Sequence, residues 1–304
     1  MSQNEPEPED RNVRTHGYFY SVACALVAGS AFVVGDLALK RCDPVTFSAL
    51  IFGFAAPVTG FWAIRGPRCT LRGPVLWPFL VHGLLSIAGV WFFWAAVQRL
   101  DPAVAGFLSR TQALVVIALS ILFLGERLRP IEVVGGILAL GGVALMKSTG
   151  ASGAVADKGE GFWLMICAAV SIGVSENCAK LAGRHTTPAY FVGARNAALA
   201  IAFVVLALCD GEPAHLEGRT IGLAFLTALL APILGRSFYM RALKRLELSR
   251  IALIQQGQPI VTALVALAVL GTVPEAYEWM GGLLVMTGCA LVVWGAARAQ
   301  RQRS

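Results

Sequence analysis

Charged side chains stand inside otherwise apolar runs of the sequence and carry its most specific chemistry. They are Arg110, Glu176, Arg195 and Arg236. A guanidinium presents a planar set of donors that fits a carboxylate. An ionised group in apolar surroundings is costly unless it faces a cavity or an opposite charge. We predict that Glu176 holds one arginine while Arg195 or Arg236 binds an anionic group of a solute. A purely structural lock is the alternative, and the sequence leaves it open.

Amide and aromatic side chains supply further candidates. Gln255, Gln256 and Gln258 are expected to lie on one helix and face a wet interior or bond to neighbouring helices. Trp91, Trp94 and Tyr239 either line a cavity or serve as packing and interface residues.

Motifs that would indicate other functions are absent from the sequence. It contains no phosphate-binding loop, nucleophile triad or H-E-x-x-H pair, so we predict neither an enzyme nor ATP-driven transport. The seven cysteines form no C-x-x-C pair and no Cys/His spacing that suits a metal. We therefore predict no cofactor and no metal site.

Composition identifies the class of protein that must position these residues. Hydrophobic residues make up 57% of the 304 positions and charged residues 14%, against about 45–50% and about 25% in soluble domains. Mean hydropathy is +0.68. The net charge of +7 lies in short patches between apolar runs, which is typical of membrane topology rather than of a nucleic-acid surface. These values predict an all-α integral membrane protein.

The apolar runs predict ten transmembrane helices, each close to the length of about 20 residues that spans a bilayer. The predicted spans are 17–39, 44–64, 75–97, 103–123, 130–147, 160–181, 188–208, 220–243, 249–270 and 277–296. With the N-terminus inside, sixteen Lys and Arg residues lie in inner segments and six in outer ones. Because positive residues favour the cytoplasmic side, we predict cytoplasmic termini and a bacterial inner-membrane location.

Depth along the helices brings the charged residues together. At about 1.5 Å rise per residue, Glu176, Arg195 and Arg236 all lie roughly 8–11 Å from the inner ends of their spans. Arg110 lies about seven residues into its span from the outer side, at a depth close to that of Asp36. Asp36 and Glu176 each precede a lysine by four residues, which predicts an ion pair along one helix face.

The second half of the chain repeats the first. A shift of 146 residues aligns Arg99-Leu100-Asp101 with Arg245-Leu246-Glu247, and Gly135-Gly136 with Gly281-Gly282. The same shift pairs Arg110 with Gln256. The first span of each half aligns at a different shift, of 140 residues, which matches Asp36 to Glu176 and Lys40 to Lys180. Five spans per copy force opposite orientations, so the expected fold is two inverted five-helix repeats. The expected divisions are a tail at 1–16, repeats at 17–147 and 160–296, a linker at 148–159 and a basic tail at 297–304.

The ends of the repeats resemble a known family. The first copy has Leu124-Gly125-Glu126 followed by Gly135-Gly136, and the second has Leu270-Gly271 followed by Gly281-Gly282. This pattern resembles the drug/metabolite transporter superfamily, EamA branch. The resemblance implies a secondary transporter of small organic solutes, with export of a metabolite, amino acid or drug-like compound as the first expectation. Gly135, Gly142, Gly281 and Gly288 are expected to pack helices closely, within the protomer or at a dimer contact.

Several alternatives stay open at this point. Uptake or exchange of a similar solute is the second hypothesis, and a lipid-head-group enzyme or a non-transporting scaffold is less favoured. The expected partners are a small solute, carboxylate-bearing in the favoured version, and the lipid bilayer. No nucleic acid is expected. Coupling to protons and a monomeric or homodimeric state are not decided by the sequence.

Overall fold

The computed structural model describes eleven α-helices in residues 8–66, 76–115, 130–148, 155–183, 186–209, 217–243, 245–246, 251, 254–272 and 274–301. The first six are α1 Pro8–Leu39, α2 Pro44–Arg65, α3 Leu76–Arg99, α4 Pro102–Ser109, α5 Pro130–Ser148 and α6 Val155–Gly183. The others are α7 Pro188–Cys209, α8 Gly218–Ala228, α9 Arg236–Leu243, α10 Gln258–Leu270 and α11 Ala276–Arg301. A π-helical segment, Leu229–Gly235, joins α8 to α9.

Seven helices of the described part are long and apolar enough to cross a bilayer. They correspond to predicted spans one, two, three, six, seven, eight and ten. The predicted span 103–123 is interrupted after Ser109, and much of it, with Glu126, lies outside the described residues. The apolar helices at Pro130–Leu145 and Gln258–Leu270 are shorter. The prediction of an all-helical, multi-pass membrane protein is confirmed, whereas the count of ten spans stays a prediction.

Local sequence signals explain where the helices begin and end. Asp43 caps α2, because its carboxylate accepts from the backbone N–H groups of Val45 and Thr46 at 2.8 and 2.9 Å. Proline stands at the first turn of α2, α4 and α10, where no N–H partner is needed. Gly271 ends α10 with a φ of 68°, a conformation that glycine adopts without strain.

Matching helices of the two halves pack against each other in antiparallel fashion. In the α2–α7 pair, Phe52 stacks on Phe203 while Asn196 donates to Thr59 at 3.3 Å. In the α5–α11 pair, a Cβ on Gly135 would meet the Gly288 carbonyl oxygen at 2.6 Å. A Cβ on Gly142 would meet that of Gly281 at 2.5 Å. The expectation that these four glycines pack helices is confirmed, and the contact lies within one protomer.

Close contacts also fix the register of the first helix in each half. Gly29 of α1 lies against Val261, and Gly173 of α6 lies in the same way against Val115. Likewise Gly17 meets Leu246, and Gly161 meets Leu100. The first helices therefore match at a shift of 144 residues, not the 140 that equates Asp36 with Glu176.

The shift of 144 residues means that Asp36 and Glu176 do not occupy matching positions in the two halves. Asp36 does pair with Lys40, with 3.0 Å between Oδ2 and Nζ. Glu176, by contrast, lies one turn deeper in its own helix than the position that matches Asp36. The alignment of Asp36 with Glu176 is therefore wrong. It rested on the same acid–lysine spacing in two short segments, which carries no information about helix packing.

Candidate functional site

A break in the helix that follows α4 presents Arg110. After Ser109 the backbone makes tighter bonds, with Thr111 N donating to Leu108 O at 3.0 Å and Leu114 N to Thr111 O at 2.9 Å. These are i to i+3 bonds, the 3₁₀ pattern that often marks a functional hinge within a helix. At about 1.5 Å per residue from Pro102, Arg110 lies about 12 Å into a hydrocarbon layer of about 30 Å.

The second half breaks at the matching residues. Gly257 N donates to Ile254 O at 3.0 Å, and Ile260 N donates to Gly257 O at 3.2 Å. Each bond matches one at the first break after a shift of 146 residues. The prediction that Gln255, Gln256 and Gln258 share one continuous helix is therefore wrong, because a turn at 256–257 separates Gln255 from Gln258, the first residue of α10.

Arg110 ties the two breaks together. Its Nη1 donates to the backbone oxygen of Gln255 at 3.1 Å, and its Nε and Nη2 donate to Ser109 Oγ at 3.3 and 3.1 Å. Cys289 Sγ approaches the Arg110 carbonyl oxygen at 3.4 Å. All these partners are neutral, and within the described residues Arg110 makes no salt bridge. The predicted proximity to Asp36 brings no ion pair.

A cavity of about 120 Å³ lies beside Arg110. Its lining combines this guanidinium, two other polar side chains and a mainly apolar wall: Phe32, Phe93, Ser109, Arg110, Gln112, Met165, Ala168, Ala169 and Ile172. Phe32 and Phe93 meet edge to face, with 5.0 Å between ring centroids. The site therefore has one cationic end and a wall suited to an apolar or aromatic group.

Two glutamines at the second break have unused hydrogen-bonding capacity. Both side-chain atoms of Gln255 and the Oε1 atom of Gln256 are buried without a hydrogen-bond partner in the structure. A buried polar atom without a partner costs about 1–3 kcal/mol, so these amides are poised to bond to a solute or to water. Gln258 is also buried, and its backbone oxygen faces Gly29.

Glu176 holds one of the two arginines expected beside it. Its Oε1 accepts from Nη1 and Nη2 of Arg236 at 3.3 and 3.2 Å. Arg195 instead donates to Asn196 Oδ1 at 3.3 Å and lies 5.9 Å from the Phe52 ring centroid. Glu176 therefore pairs with Arg236, whereas Arg195 makes no salt bridge within the described residues.

The π-helical segment positions Arg236. Pro232 within this segment lacks an N–H group, and the wider winding ends at Gly235, directly before Arg236. Gly235 approaches α1 near Val27 and Ala28. The Arg236 guanidinium carbon lies 5.5 Å from the Tyr239 ring centroid one turn later, so Tyr239 belongs to this ionic cluster.

The two tryptophans do not line the described cavity, although Trp94 packs against Phe93 of its wall. Trp91 is 39% exposed, while Trp94 is buried against Phe47 and Gly35. The sequence interpretation instead missed Ser109 and Gln112. The signal was present, since Ser109-Arg110-Thr111-Gln112 is an unbroken polar run within an apolar span, and Gln255-Gln256-Gly257-Gln258 is its counterpart.

His82 is a buried residue close to the ionic cluster. Its Nδ1 lies 2.7 Å from Ser175 Oγ and 3.0 Å from the Ser175 carbonyl oxygen, while Nε2 has no partner in the structure. Ser86 also bonds to Ser175 Oγ, at 2.9 Å. This network joins α3 to α6 beside Glu176.

Comparisons with known proteins agree on one family. The sequence model of the EamA-like transporter family matches residues 15–148 and again residues 159–294. An aromatic amino acid exporter, YddG, of Ancylobacter novellus is 26% identical, and the alignment covers 90% of this chain and 94% of that protein. A probable amino-acid metabolite efflux pump of Escherichia coli is 27% identical over 89% of this chain and 92% of its own length.

A solved crystal structure supports the same fold. It superposes with a TM-score of 0.65 at 22% identity, covering 92% of this chain and 97% of that one. The helical architecture, the doubled match and the related transporters agree with one another. The chain belongs to the EamA-like transporter family and is an integral membrane transporter rather than an enzyme.

Proposed function

We propose that this protein exports a small amino-acid-like solute whose carboxylate binds Arg110. A half-buried guanidinium whose partners among the described residues are all neutral, at the end of a largely apolar cavity, carries the proposal. An incoming carboxylate would supply the missing negative charge and accept two hydrogen bonds from the guanidinium. The apolar part of the solute would pack against Phe32, Phe93 and Ile172. The names of the two relatives, an aromatic amino acid exporter and an amino-acid metabolite efflux pump, support this substrate class and direction.

The proposed framework is ten spans arranged as two inverted repeats, at 17–147 and 160–296. The antiparallel α2–α7 and α5–α11 pairs support it, because matching helices of inverted repeats run in opposite directions. The paired contacts of Gly29 with Val261 and of Gly173 with Val115 are also those expected of a pseudo-twofold axis. The charge distribution supports cytoplasmic termini in a bacterial inner membrane.

The proposed transport cycle centres on the two helix breaks. In inverted-repeat transporters, interrupted helices place unpaired polar groups at the substrate site, and one repeat rocks against the other. The bond from Arg110 to the Gln255 backbone oxygen crosses between the two repeats here. A carboxylate that engages Arg110 would compete with this bond, so binding and rearrangement of the breaks are coupled in the proposal.

Arg195 is the second candidate for contact with an anion. Its Nε is buried without a partner, and within the described residues it makes no salt bridge. It does not line the cavity beside Arg110. We therefore assign it to attraction of the carboxylate along the path, and the hypothesis that it binds the anion directly stays a prediction.

The test compares L-phenylalanine with phenethylamine, which lacks the carboxylate, as labelled solutes in proteoliposomes. Arg110→Gln should reduce phenylalanine transport by at least about 100-fold, the scale expected when the charged partner of a carboxylate is lost. Transport of phenethylamine should be unchanged. Arg195→Gln should have a smaller effect. Arg99→Gln is the matched control, because Arg99 pairs with the exposed Glu160 away from the cavity. Imposed gradients in both directions distinguish export from uptake or exchange.

Folding of each variant is checked by gel filtration, and Arg110→Lys keeps the charge if Arg110→Gln does not fold. Arg110→Lys should retain part of the transport, because it keeps the cation without the planar fork. Normal phenylalanine transport by folded Arg110→Gln would show that the proposed carboxylate site is wrong.

A further inference from the structure

A larger cavity, of about 300 Å³, lies between the end of α1 and the beginning of α8. It is lined by Leu37, Lys40, Arg41, Arg219 and Leu223. Three of these five side chains are cations, and the other two are leucines. This cavity shares no lining residue with the one beside Arg110.

Charge around this cavity is not balanced. Lys40 pairs with Asp36 at 3.0 Å, and Arg41 pairs with Glu217. Arg219 makes no hydrogen bond or ion pair within the part of the chain that the structure describes, and its side chain is exposed. Among the described residues, two of the three lining cations are paired with carboxylates, and Arg219 keeps an unpaired positive charge that can attract an anion.

The cavity opens where a lipid headgroup would lie. The apolar stretch of the first helix ends at Leu39, and the apolar stretch that contains α8 begins at Gly218. Lys40, Arg41 and Arg219 thus stand at one end of the hydrocarbon layer. Positively charged side chains at this depth interact favourably with anionic lipid phosphates, at about 1 kcal/mol for each residue.

An apolar surface continues from the cavity along α8. Arg219 and Leu223 are four residues apart and share one helix face, and Leu226, three residues further, is 40% exposed. The same face therefore carries a cation at the membrane boundary and leucines toward the hydrocarbon interior. This arrangement matches a phospholipid, with a charged headgroup above an acyl chain, better than it matches a small soluble anion.

We propose that this cavity binds the phosphate of an anionic phospholipid headgroup, with an acyl chain lying along Leu223 and Leu226. Arg219 supplies the unbalanced charge, and Lys40 and Arg41 supply further donors. The site is separate from the solute site, and the proposal does not depend on which solute is transported.

The test measures retained lipid on the purified full-length protein by native mass spectrometry. The protein is placed in nanodiscs that contain equal amounts of phosphatidylglycerol and phosphatidylcholine. We expect enrichment of phosphatidylglycerol on the wild-type protein and a reduction of about fivefold in Arg219→Gln, as the loss of one interfacial cation predicts. Arg99→Gln removes the same charge from a paired arginine outside the cavity and should retain the enrichment.

Leu226→Gln provides an independent variant, since it should weaken retention of the lipid without changing the charge. Equal retention of the two lipids by the wild-type protein would overturn the proposal. Equal loss in Arg219→Gln and Arg99→Gln would also overturn it, because general surface charge would then explain the binding. Thermal stabilisation by inorganic phosphate, removed by Arg219→Gln, would assign the cavity to a soluble anion instead of a lipid.

Discussion

Arg110 and Arg236 are both arginines inside membrane-spanning segments, but their surroundings differ in one decisive respect. Arg236 has a carboxylate partner in Glu176, with 3.2 Å between Nη2 and Oε1. Among the described residues, the Arg110 guanidinium donates only to a backbone oxygen and a hydroxyl. Removing one member of a buried ion pair leaves an uncompensated charge. The comparison suggests that Arg236 serves mainly to stabilise the fold, whereas Arg110 leaves its charge to be neutralised by a solute.

Replacement of each arginine by methionine gives the largest expected contrast. Arg236→Met strands Glu176 and should lower the free energy of unfolding by about 3 kcal/mol, the lower end of the range for buried pairs, because both side chains are partly exposed. Arg110→Met removes a charge that has no acidic partner among the described residues, and we expect a change in stability within about 1 kcal/mol together with loss of phenylalanine transport. Thermal unfolding in detergent measures the first effect. Equal destabilisation by both substitutions would remove the distinction between the two arginines.

Substitution of the carboxylates that pair with Arg236 and Arg99 measures how much each ion pair contributes to stability. Glu176→Gln keeps a hydrogen-bond acceptor but leaves Arg236 without a counter-charge, so the loss of stability should be about 2 kcal/mol, below that of Glu176→Ala. Glu160→Gln is a control on the same helix, because Glu160 pairs with Arg99 in an exposed position and should contribute less than about 1 kcal/mol. If the two glutamine variants melt at the same temperature, the Glu176–Arg236 pair contributes no more than a surface pair.

The chemistry of these residues could be predicted from the sequence more fully than the partners with which they pair. Helical class, membrane insertion and repetition follow from hydropathy and internal similarity, which are properties of the whole chain. The pairing of Glu176 with Arg236 rather than with Arg195 depends on the π-helical segment before Arg236. No periodicity of apolar residues reveals such a segment. The break at Arg110 was signalled by four consecutive polar residues, but hydropathy averaged over a span conceals them.

The smallest expected effect concerns the glycines behind the two breaks. A Cβ on Gly29 would approach Val261 Cβ at 3.0 Å, and one on Gly173 would approach Val115 Cβ at the same distance. Overpacking offset by the better helix propensity of alanine gives an expected loss of about 1 kcal/mol for Gly29→Ala and Gly173→Ala alike.

Gly136→Ala is the control, because a Cβ there meets nothing within 4 Å and should not destabilise the helix. Melting temperatures of the three variants measure the effect. A large difference in melting temperature between Gly29→Ala and Gly173→Ala would mean that the helices packed behind the two breaks support them unequally, although the backbone bonds of the breaks match.

The glycine contacts between α5 and α11 have a genetic consequence. Added atoms at Gly135, Gly142 and Gly288 would each meet main-chain atoms of the facing helix within 2.6 Å. A clash with main-chain atoms cannot be relieved by substituting the facing residue. The clash at Gly282 is with the side chain of Phe107, which a smaller residue would relieve. Selection for recovery of a Gly282→Ala strain should therefore yield suppressors at Phe107, whereas a Gly288→Ala strain should recover mainly by reversion to the original codon. The three glycines that face main-chain atoms should therefore accept fewer substitutions than Gly282, and a second mutation elsewhere should seldom restore them.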